Sequence, residues 1–263
     1  MYSGIAGKRV LITGATSGLG FAMAKALASQ GARVFVTGRN QERVDKALSD
    51  LRALRPSSGE CYGAVVNVRD EQSVRSGLAA MLRLWNGIDV LINNAGIGMR
   101  TVNPKFLSEP KPFWEVSADG FRDLIDTNLT GYFLVAKEIV PHMLQRGGGR
   151  IVNISMNHET MRRKGFIPYG PSRAGAESLS RIMAQDLAST GITVNMLLPG
   201  GATQTGMVPD DLPASMKEHI LSPDVMAEAV CFLCSDEAAS VNDRRIVAKD
   251  FARWKEEWDR SSR

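Results

Sequence analysis

Three glycines directly follow a β-branched run near the start of the chain, in the sequence TGATSGLG. Glycine allows a tight turn and lets the backbone approach a phosphate, while the free N–H groups and positive dipole end of a helix start favour an anion. In this strand–loop–helix setting the pattern predicts a site for a dinucleotide pyrophosphate; a glycine-rich turn without a ligand is the alternative. The loop residues expected to line the site are Gly14, Thr16, Ser17, Gly18, Leu19 and Gly20.

The end of the second predicted strand carries a cation, Arg39, in the sequence VTGRN. NAD-binding proteins place an acidic residue about 20 positions beyond the glycines, where it binds the ribose hydroxyls. A guanidinium at this position instead matches the 2′-phosphate of NADP. We therefore expect Arg39 and Asn40 to bind NADP(H) in preference to NAD(H), with a solvated loop cation as the alternative for Arg39.

Short β-branched runs alternate with longer helical patterns along the chain. The predicted strands are Arg9–Thr13, Arg33–Thr37, Tyr62–Val68, Asp89–Asn93, Arg150–Ser155, Thr193–Leu198 and Arg245–Ala248, and three of the helical patterns cover Leu19–Gln30, Asp119–Gln145 and Tyr169–Ser189. This alternation is typical of an α/β fold with a Rossmann-type, doubly wound parallel sheet in three layers, α/β/α. We predict a single domain over residues 1–263.

Two long segments interrupt the alternation, near residues 98–117 and 200–223. Each follows the end of a predicted strand, at the edge where open α/β sheets bind ligands, and long loops in compact domains are often functional. We expect both to form substrate loops, with Met207 as one apolar contact to a substrate.

The composition is that of an ordinary folded protein, with 44% hydrophobic and 23% charged residues among 263. No apolar run reaches the roughly 18 residues of a membrane span, and three cysteines form no disulfide framework, so we expect a cytoplasmic protein. Cys231 and Cys234 lack the further ligands that zinc requires, so no metal site is predicted. The net charge of +4 is dispersed, which favours a small anionic ligand over nucleic acid.

Several further motifs follow the glycine loop along the chain. They are Asn93-Asn94-Ala95-Gly96 after the fourth strand, Asn128 in the long helical pattern, Tyr169-Gly170-Pro171-Ser172-Arg173, and Pro199-Gly200 after the sixth strand. With these motifs in this order, the chain resembles the short-chain dehydrogenase/reductase family from about Gly7 to Ser235. The resemblance implies a homodimeric or homotetrameric oxidoreductase that interconverts a carbonyl and an alcohol on a small molecule with a nicotinamide cofactor.

The resemblance also implies roles for particular residues. Asn67 and Val68 flank the adenine, where an aspartate is more usual. The other implied cofactor contacts are Asn94, Ala95 and Gly96 on the adenine-ribose side and Pro199, Gly200, Ala202 and Thr203 toward the nicotinamide. Tyr169 and Arg173 are implied cofactor contacts as well, with Arg173 at the nicotinamide ribose. The family's catalytic set is Asn, Ser, Tyr and Lys, in which tyrosine is the general acid or base; Asn128 and Tyr169 occupy two of these positions.

The other two positions of the set differ from the family. Arg173 replaces the lysine; it supplies a positive charge and ribose donors one helical turn from Tyr169, but it does not release its proton. Met156 replaces the serine, and a thioether donates no hydrogen bond, so about 3–4 kcal/mol of oxyanion stabilisation would be lost. The side chains that could donate instead are Ser155, Asn157, His158 and Thr160.

Three functions therefore remain open at the level of sequence. The first is an active NADP-dependent carbonyl reductase or alcohol dehydrogenase with Tyr169, Asn128 and Arg173 as catalytic residues and Ser155, Met156 and His158 near the substrate. The second is a cofactor-binding relative that has lost catalysis and acts as a binding or regulatory subunit. The third is imine reduction, in which a protonated substrate needs no oxyanion donor.

Overall fold

A computed structural model describes residues 2–54, 60–209 and 217–261. These residues form a seven-stranded sheet of order β3-β2-β1-β4-β5-β6-β7 in which every neighbouring pair is parallel. The strands are β1 (Arg9–Ile12), β2 (Arg33–Gly38), β3 (Cys61–Val65), β4 (Val90–Asn93), β5 (Gly149–Ile154), β6 (Ile192–Leu198) and β7 (Arg245–Val247). The Rossmann-type fold and all seven predicted strands are confirmed, with ends that shift by one to three residues.

Helices cover both faces of the sheet. They are α1 (Gly18–Ser29), α2 (Gln41–Ala53), α3 (Glu71–Trp85), α4 (Ala118–Ile125), α5 (Gly131–Gln145), α6 (His158–Met161), α7 (Tyr169–Asp186), α8 (Ala227–Cys234) and α9 (Phe251–Ser261). Within the described ranges, none of them has the length and apolar character needed to cross a membrane.

Alternation along each strand divides the core into two layers. On β1, Val10 and Ile12 pack with α1, α2, α8 and α9, whereas Leu11 packs with α3, α5 and α7 on the opposite face. Successive side chains of a strand point to opposite sides, so a sheet covered on both faces needs apolar residues at every position. The strands β1 and β4 meet this requirement over Val10–Ile12 and Val90–Ile92, while the polar Arg9 and Asn93 at their ends are hydrogen-bonded to other side chains.

The chain order reverses between the neighbouring strands β1 and β4, which opens a crevice at their carboxyl ends. The glycine loop leaves β1 at this edge, and Asn94, Ala95 and Gly96 leave β4 beside it. The fold therefore brings together two motifs that are about 80 residues apart in the chain.

One predicted helix differs from the structure. The pattern over Asp119–Gln145 is broken by a π-helical segment, Asp126–Thr130, that separates α4 from α5. A π-turn inserts an extra residue and frequently occurs at functional sites. Asn128 lies in this segment and is completely buried. Its position in the site is therefore set by an irregularity that hydrophobic periodicity does not reveal.

Candidate active site

The glycine loop has a backbone conformation that residues with a side chain rarely adopt. Gly14 and Gly18 have φ values of 63° and 57°, in the left-handed region that favours glycine. A Cβ on Gly20 would lie 2.4 Å from Asn94 Nδ2 and 2.6 Å from Gly14 O. The Asn94 Nδ2 group donates to Thr13 O at 2.9 Å and to Gly14 O at 3.0 Å. Asn94 thus holds the loop in place from the end of β4, next to the start of α1.

The end of β2 places an unengaged cation near this loop. A Cβ on Gly38 would lie 2.5 Å from Thr16 Cγ2, so the glycine lets Thr16 pack against the strand end. Arg39 is exposed, and within the described residues its guanidinium forms no hydrogen bond or ion pair. Asn40 is engaged differently, because its Oδ1 accepts the Arg43 N–H at 2.9 Å and caps α2. Arg39 is therefore available to a ligand, whereas the Asn40 side chain has a structural partner.

The segment after β3 forms the neighbouring wall. The backbone N–H of Asn67 donates to Ser73 Oγ at 2.9 Å. Asn67, two residues after the end of β3, therefore takes no part in the hydrogen bonding of the sheet. Val68 is buried, and a Cβ on Gly131 would lie 2.8 Å from Val68 Cγ2. The predicted strand to Val68 was therefore too long, because this segment turns to pack on the start of α5.

The segment after β6 crosses the cleft. Gly200 follows Pro199 with a φ of 95°. Ala202 O accepts the Leu221 N–H at 2.9 Å, and Thr203 and Leu221 form an isolated β-bridge. The two ends of the predicted 200–223 loop are therefore joined; residues 210–216 lie outside the described ranges.

The described part of that loop reaches both sides of the cleft. A Cβ on Gly18 would lie 3.1 Å from Thr205 Cγ2, so Thr205 lies over the glycine loop. Met207 lies against Gly98 and Tyr169, whose hydroxyl is 3.9 Å from the Met207 sulfur. The predicted substrate contact Met207 is therefore adjacent to the phenol.

Tyr169 is the first residue of α7 and is half-buried. Two consecutive hydrogen bonds link Asn128, in the π-helical segment, to Tyr169. Asn128 Nδ2 donates to Ser172 Oγ at 3.1 Å, and Ser172 Oγ donates to Tyr169 O at 2.8 Å. Asn128 also exchanges hydrogen bonds with Ile97, whose N–H donates to Oδ1 at 2.9 Å and whose carbonyl accepts from Nδ2 at 3.0 Å. Both hydrogens of the Asn128 amide are therefore used by the protein itself.

Arg173 lies one turn below Tyr169 and is only 3% exposed. Its Nη1 donates to the Tyr132 hydroxyl at 2.7 Å and to Ile154 O at 3.0 Å, and its guanidinium carbon is 5.4 Å from the Tyr169 ring centre. Burial alone would lower the pKa of Arg173, but charge attraction and hydrogen bonding to the two phenols raise it above its usual value. The structure therefore holds a fixed positive charge beside Tyr169.

Met156, the residue expected at the serine position, is buried, and the neighbouring Ser155 hydroxyl is bound to another side chain. Ser155 Oγ donates to Glu177 Oε1 at 2.5 Å, and His158 Nε2 lies 3.0 Å from Glu177 Oε2. Two of the predicted substrate residues are thus engaged by one carboxylate. The unengaged ring nitrogen of His158 has no partner among the described residues, and its side chain is 57% exposed.

Glu177 is a neighbour of the candidate site that the sequence motifs do not predict. Arg245 of β7 also binds it, through Nε at 2.8 Å, and donates from Nη2 to Met156 O at 2.7 Å. Burial would raise the pKa of Glu177, but hydrogen bonds from Ser155, Arg245 and His158 lower it below its usual value. The available signal was its spacing of eight residues from Tyr169, two turns along one helix face.

We expect Glu177→Gln to destabilise the protein by about 2–3 kcal/mol at neutral pH, because Arg245 would lose its buried ionic partner. The folded-state pKa is lowered, so this stabilisation is complete above the unfolded value near 4.3 and disappears as the pH falls through the folded-state pKa. Urea unfolding at a series of pH values would measure the difference. The exposed Glu256→Gln serves as the control, and a difference that is independent of pH would contradict the assignment.

Comparisons with known proteins agree with this geometry. Residues 8–214 match the model of the short chain dehydrogenase family. The chain is 38% identical to gluconate 5-dehydrogenase of Gluconobacter oxydans over 198 residues, 74% of this chain and 72% of that protein. It is 32% identical to 3-oxoacyl-(acyl-carrier-protein) reductase of Aquifex aeolicus over 247 residues, 91% of this chain and 95% of that protein.

Solved structures give the same result. Levodione reductase superimposes with a TM-score of 0.82 at 27% identity, covering 94% of this chain and 98% of that one. A variant of actinorhodin polyketide ketoreductase, solved with NADPH, has a TM-score of 0.80 at 30% identity and covers 93% and 97%. From its motifs, its sheet and these relatives, the chain belongs to the short-chain dehydrogenase/reductase family of oxidoreductases.

Proposed function

We propose that this protein is an NADP(H)-dependent oxidoreductase that interconverts a carbonyl and an alcohol on a small molecule. The observation that carries the proposal is the Tyr169–Arg173 pair, a phenol beside a fixed buried cation, at the crevice where the glycine loop opens. A phenol stabilised as phenolate by a neighbouring positive charge is suited to exchange a proton with a substrate oxygen.

The residues around the crevice fit a dinucleotide. The loop turns tightly at Gly14 and Gly20, where a Cβ would collide with Ala95 and Asn94, and free N–H groups at the start of α1 suit a pyrophosphate. Arg39 offers an unengaged guanidinium at the end of β2, where a 2′-phosphate would lie. The relative solved with NADPH supports the same preference, with NAD(H) as the second option. When bound, the cofactor supplies or accepts the hydride.

The chain's own residues would handle the proton and the substrate. Tyr169 would give a proton to the carbonyl oxygen in reduction or remove it from the alcohol in oxidation. Arg173 would stabilise the phenolate form by charge, and Asn128 would hold the backbone around Ile97 and Tyr169 through its hydrogen bonds. Met156 provides no donor to the oxyanion, so we expect turnover about 100- to 1,000-fold below that of a site with a hydroxyl at this position.

The family and the surface also support an assembly. Phe133 on α5 and Ile182 on α7 are 46% and 55% exposed, although each is a large apolar side chain on a helix beside the site. Burying such residues between subunits would be favourable. We therefore propose that the protein forms a homodimer or homotetramer. We also propose that it works in the cytoplasm on a small-molecule substrate, without nucleic acid or membrane partners.

One observation favours the alternative of a binding or regulatory relative without catalysis. Met156 fills the donor position, and Ser155, the adjacent hydroxyl, is bound to Glu177. Imine reduction is the remaining possibility, because a protonated imine develops no oxyanion. Assays with NADPH and a panel of ketones, aldehydes and imines separate these functions. NADPH binding without turnover of any compound would favour the binding relative, and turnover of imines alone would favour the third function.

We expect Arg39→Ala to weaken NADPH binding by about 10- to 100-fold, since charge-assisted hydrogen bonds to a phosphate are worth about 1.5–3 kcal/mol. NADH binding should change by less than about threefold. Isothermal titration with both nucleotides would measure the ratio, with the exposed Arg43→Ala on α2 as the matched control. Equal weakening of both nucleotides would contradict a 2′-phosphate contact.

We expect Tyr169→Phe to lower kcat by at least about 100-fold, because general acid–base catalysis typically contributes 100- to 10,000-fold. NADPH affinity should stay within a few-fold of the unsubstituted protein, which shows that the cofactor site is intact. The measurement is steady-state kinetics with the best compound of the panel. An unchanged kcat would remove Tyr169 from the reaction, and absence of any nucleotide binding at millimolar concentration would overturn the whole proposal.

A further inference from the structure

We propose that Tyr132 is a positioning residue that fixes the guanidinium of Arg173 beneath Tyr169. The inference rests on the proposed function, because it concerns how the cation reaches the reacting phenol. It also explains how an arginine works at a position where the family's usual residue is a lysine. Nothing in the motifs of the sequence marks Tyr132, which lies on α5, 41 residues before Arg173.

A closed set of hydrogen bonds holds the guanidinium. Arg173 Nη1 donates to the Tyr132 hydroxyl at 2.7 Å and to Ile154 O at 3.0 Å. The Tyr132 hydroxyl itself donates to Ile154 O at 3.1 Å. Tyr132 is 1% exposed, so these bonds form away from water. Both hydrogens of Nη1 are therefore directed toward the end of β5, which fixes the orientation of the planar group.

Among the groups around the Arg173 guanidinium, Tyr132 is the main side chain that holds it in place. The guanidinium carbon lies 5.7 Å from the Tyr132 ring centre and 5.4 Å from that of Tyr169, so the cation contacts both rings. A Cβ on Gly96 would be 2.5 Å from Arg173 Nη2, and the glycine therefore makes room for the far side of the group. Arg173 Nε is buried and has no partner among the described residues.

Tyr132 can position the cation without cancelling its charge. Burial raises the pKa of Tyr132, so this phenol stays neutral and acts as an acceptor toward Arg173. Among the described residues, no carboxylate forms an ion pair with Arg173; the carboxylate one turn further along α7, Glu177, is bound by Arg245. A carboxylate in the position of the Tyr132 hydroxyl would offset the positive charge that Tyr169 experiences.

The positive charge of Arg173 is important for Tyr169 because of the other groups that face this phenol. Arg173 faces it from its own helix, and the Met207 thioether faces it from the segment after β6. Phe106 and Phe166 belong to an apolar cluster against which Tyr169 packs. Because the charged Arg173 guanidinium lies against the Tyr169 ring, a displacement of this guanidinium should directly change the phenol.

The test compares Tyr132→Phe in two backgrounds. In the unsubstituted protein we expect Tyr132→Phe to lower kcat about tenfold or more while NADPH affinity stays within twofold. A lysine has a flexible stem and does not need this anchor. In the Arg173→Lys background, Tyr132→Phe should therefore change kcat by less than about twofold. Tyr62→Phe, a half-buried phenol on β3, is the matched control, and thermal unfolding of every variant identifies losses caused by instability.

A second readout does not depend on turnover. Spectroscopic pH titration of phenolate absorbance reports each ionising tyrosine, and the step lost in Tyr169→Phe identifies Tyr169. We expect Tyr132→Phe to move this step to higher pH in the Arg173 protein and to leave it unchanged with Arg173→Lys. Equal effects of Tyr132→Phe in both backgrounds, or none in either, would overturn the inference. NADPH binding without any turnover, together with the expected titration shift, would reject the proposed function but retain the positioning role.

Discussion

The site is arranged around the buried guanidinium of Arg173, which has no carboxylate partner within the described residues. Removing such a charge from water costs several kcal/mol unless nearby groups replace its hydration. Around Arg173 these groups are a phenol, a strand-end carbonyl and two aromatic rings. They compensate the cation but leave its charge uncancelled. The same requirement explains why position 96 is a glycine, since any side chain there would displace the guanidinium.

The charges of α7 are separated rather than paired. Arg173 and Glu177 are four residues apart, the spacing at which an arginine and a glutamate commonly form an ion pair on a helix. Here Arg173 binds toward α5 and β5, while Glu177 binds Arg245, Ser155 and His158. Because Arg245 binds the Glu177 carboxylate, Arg173 is left to interact with the phenols. Arg245 of β7 is thus part of the electrostatics of the site.

The sequence was sufficient for the features that are local or periodic. Seven strands, the glycine loop and the reversal of chain order follow from β-branched runs, glycine spacing and the geometry of parallel sheets. The engagement of Ser155 and His158 by Glu177 could not be predicted, because it joins a strand end, a short helix and a long helix. The π-helical segment at Asn128 was equally hidden, since its apolar spacing resembles that of a continuous α-helix.

Met156, Glu177 and Arg245 form one cluster in space. Arg245 binds the backbone of Met156, and it also binds Glu177, one turn from Arg173. An apolar residue at position 173 would remove the desolvation cost of a buried cation, and such replacements are often neutral or stabilising. If the chain needed only its fold and its nucleotide site, the hydrogen bonds and ring contacts that hold Arg173 would bring no benefit to stability. Because Arg173 contacts Tyr169 and, in the described part of the chain, no carboxylate, its charge favours a reacting phenol over a site that only binds.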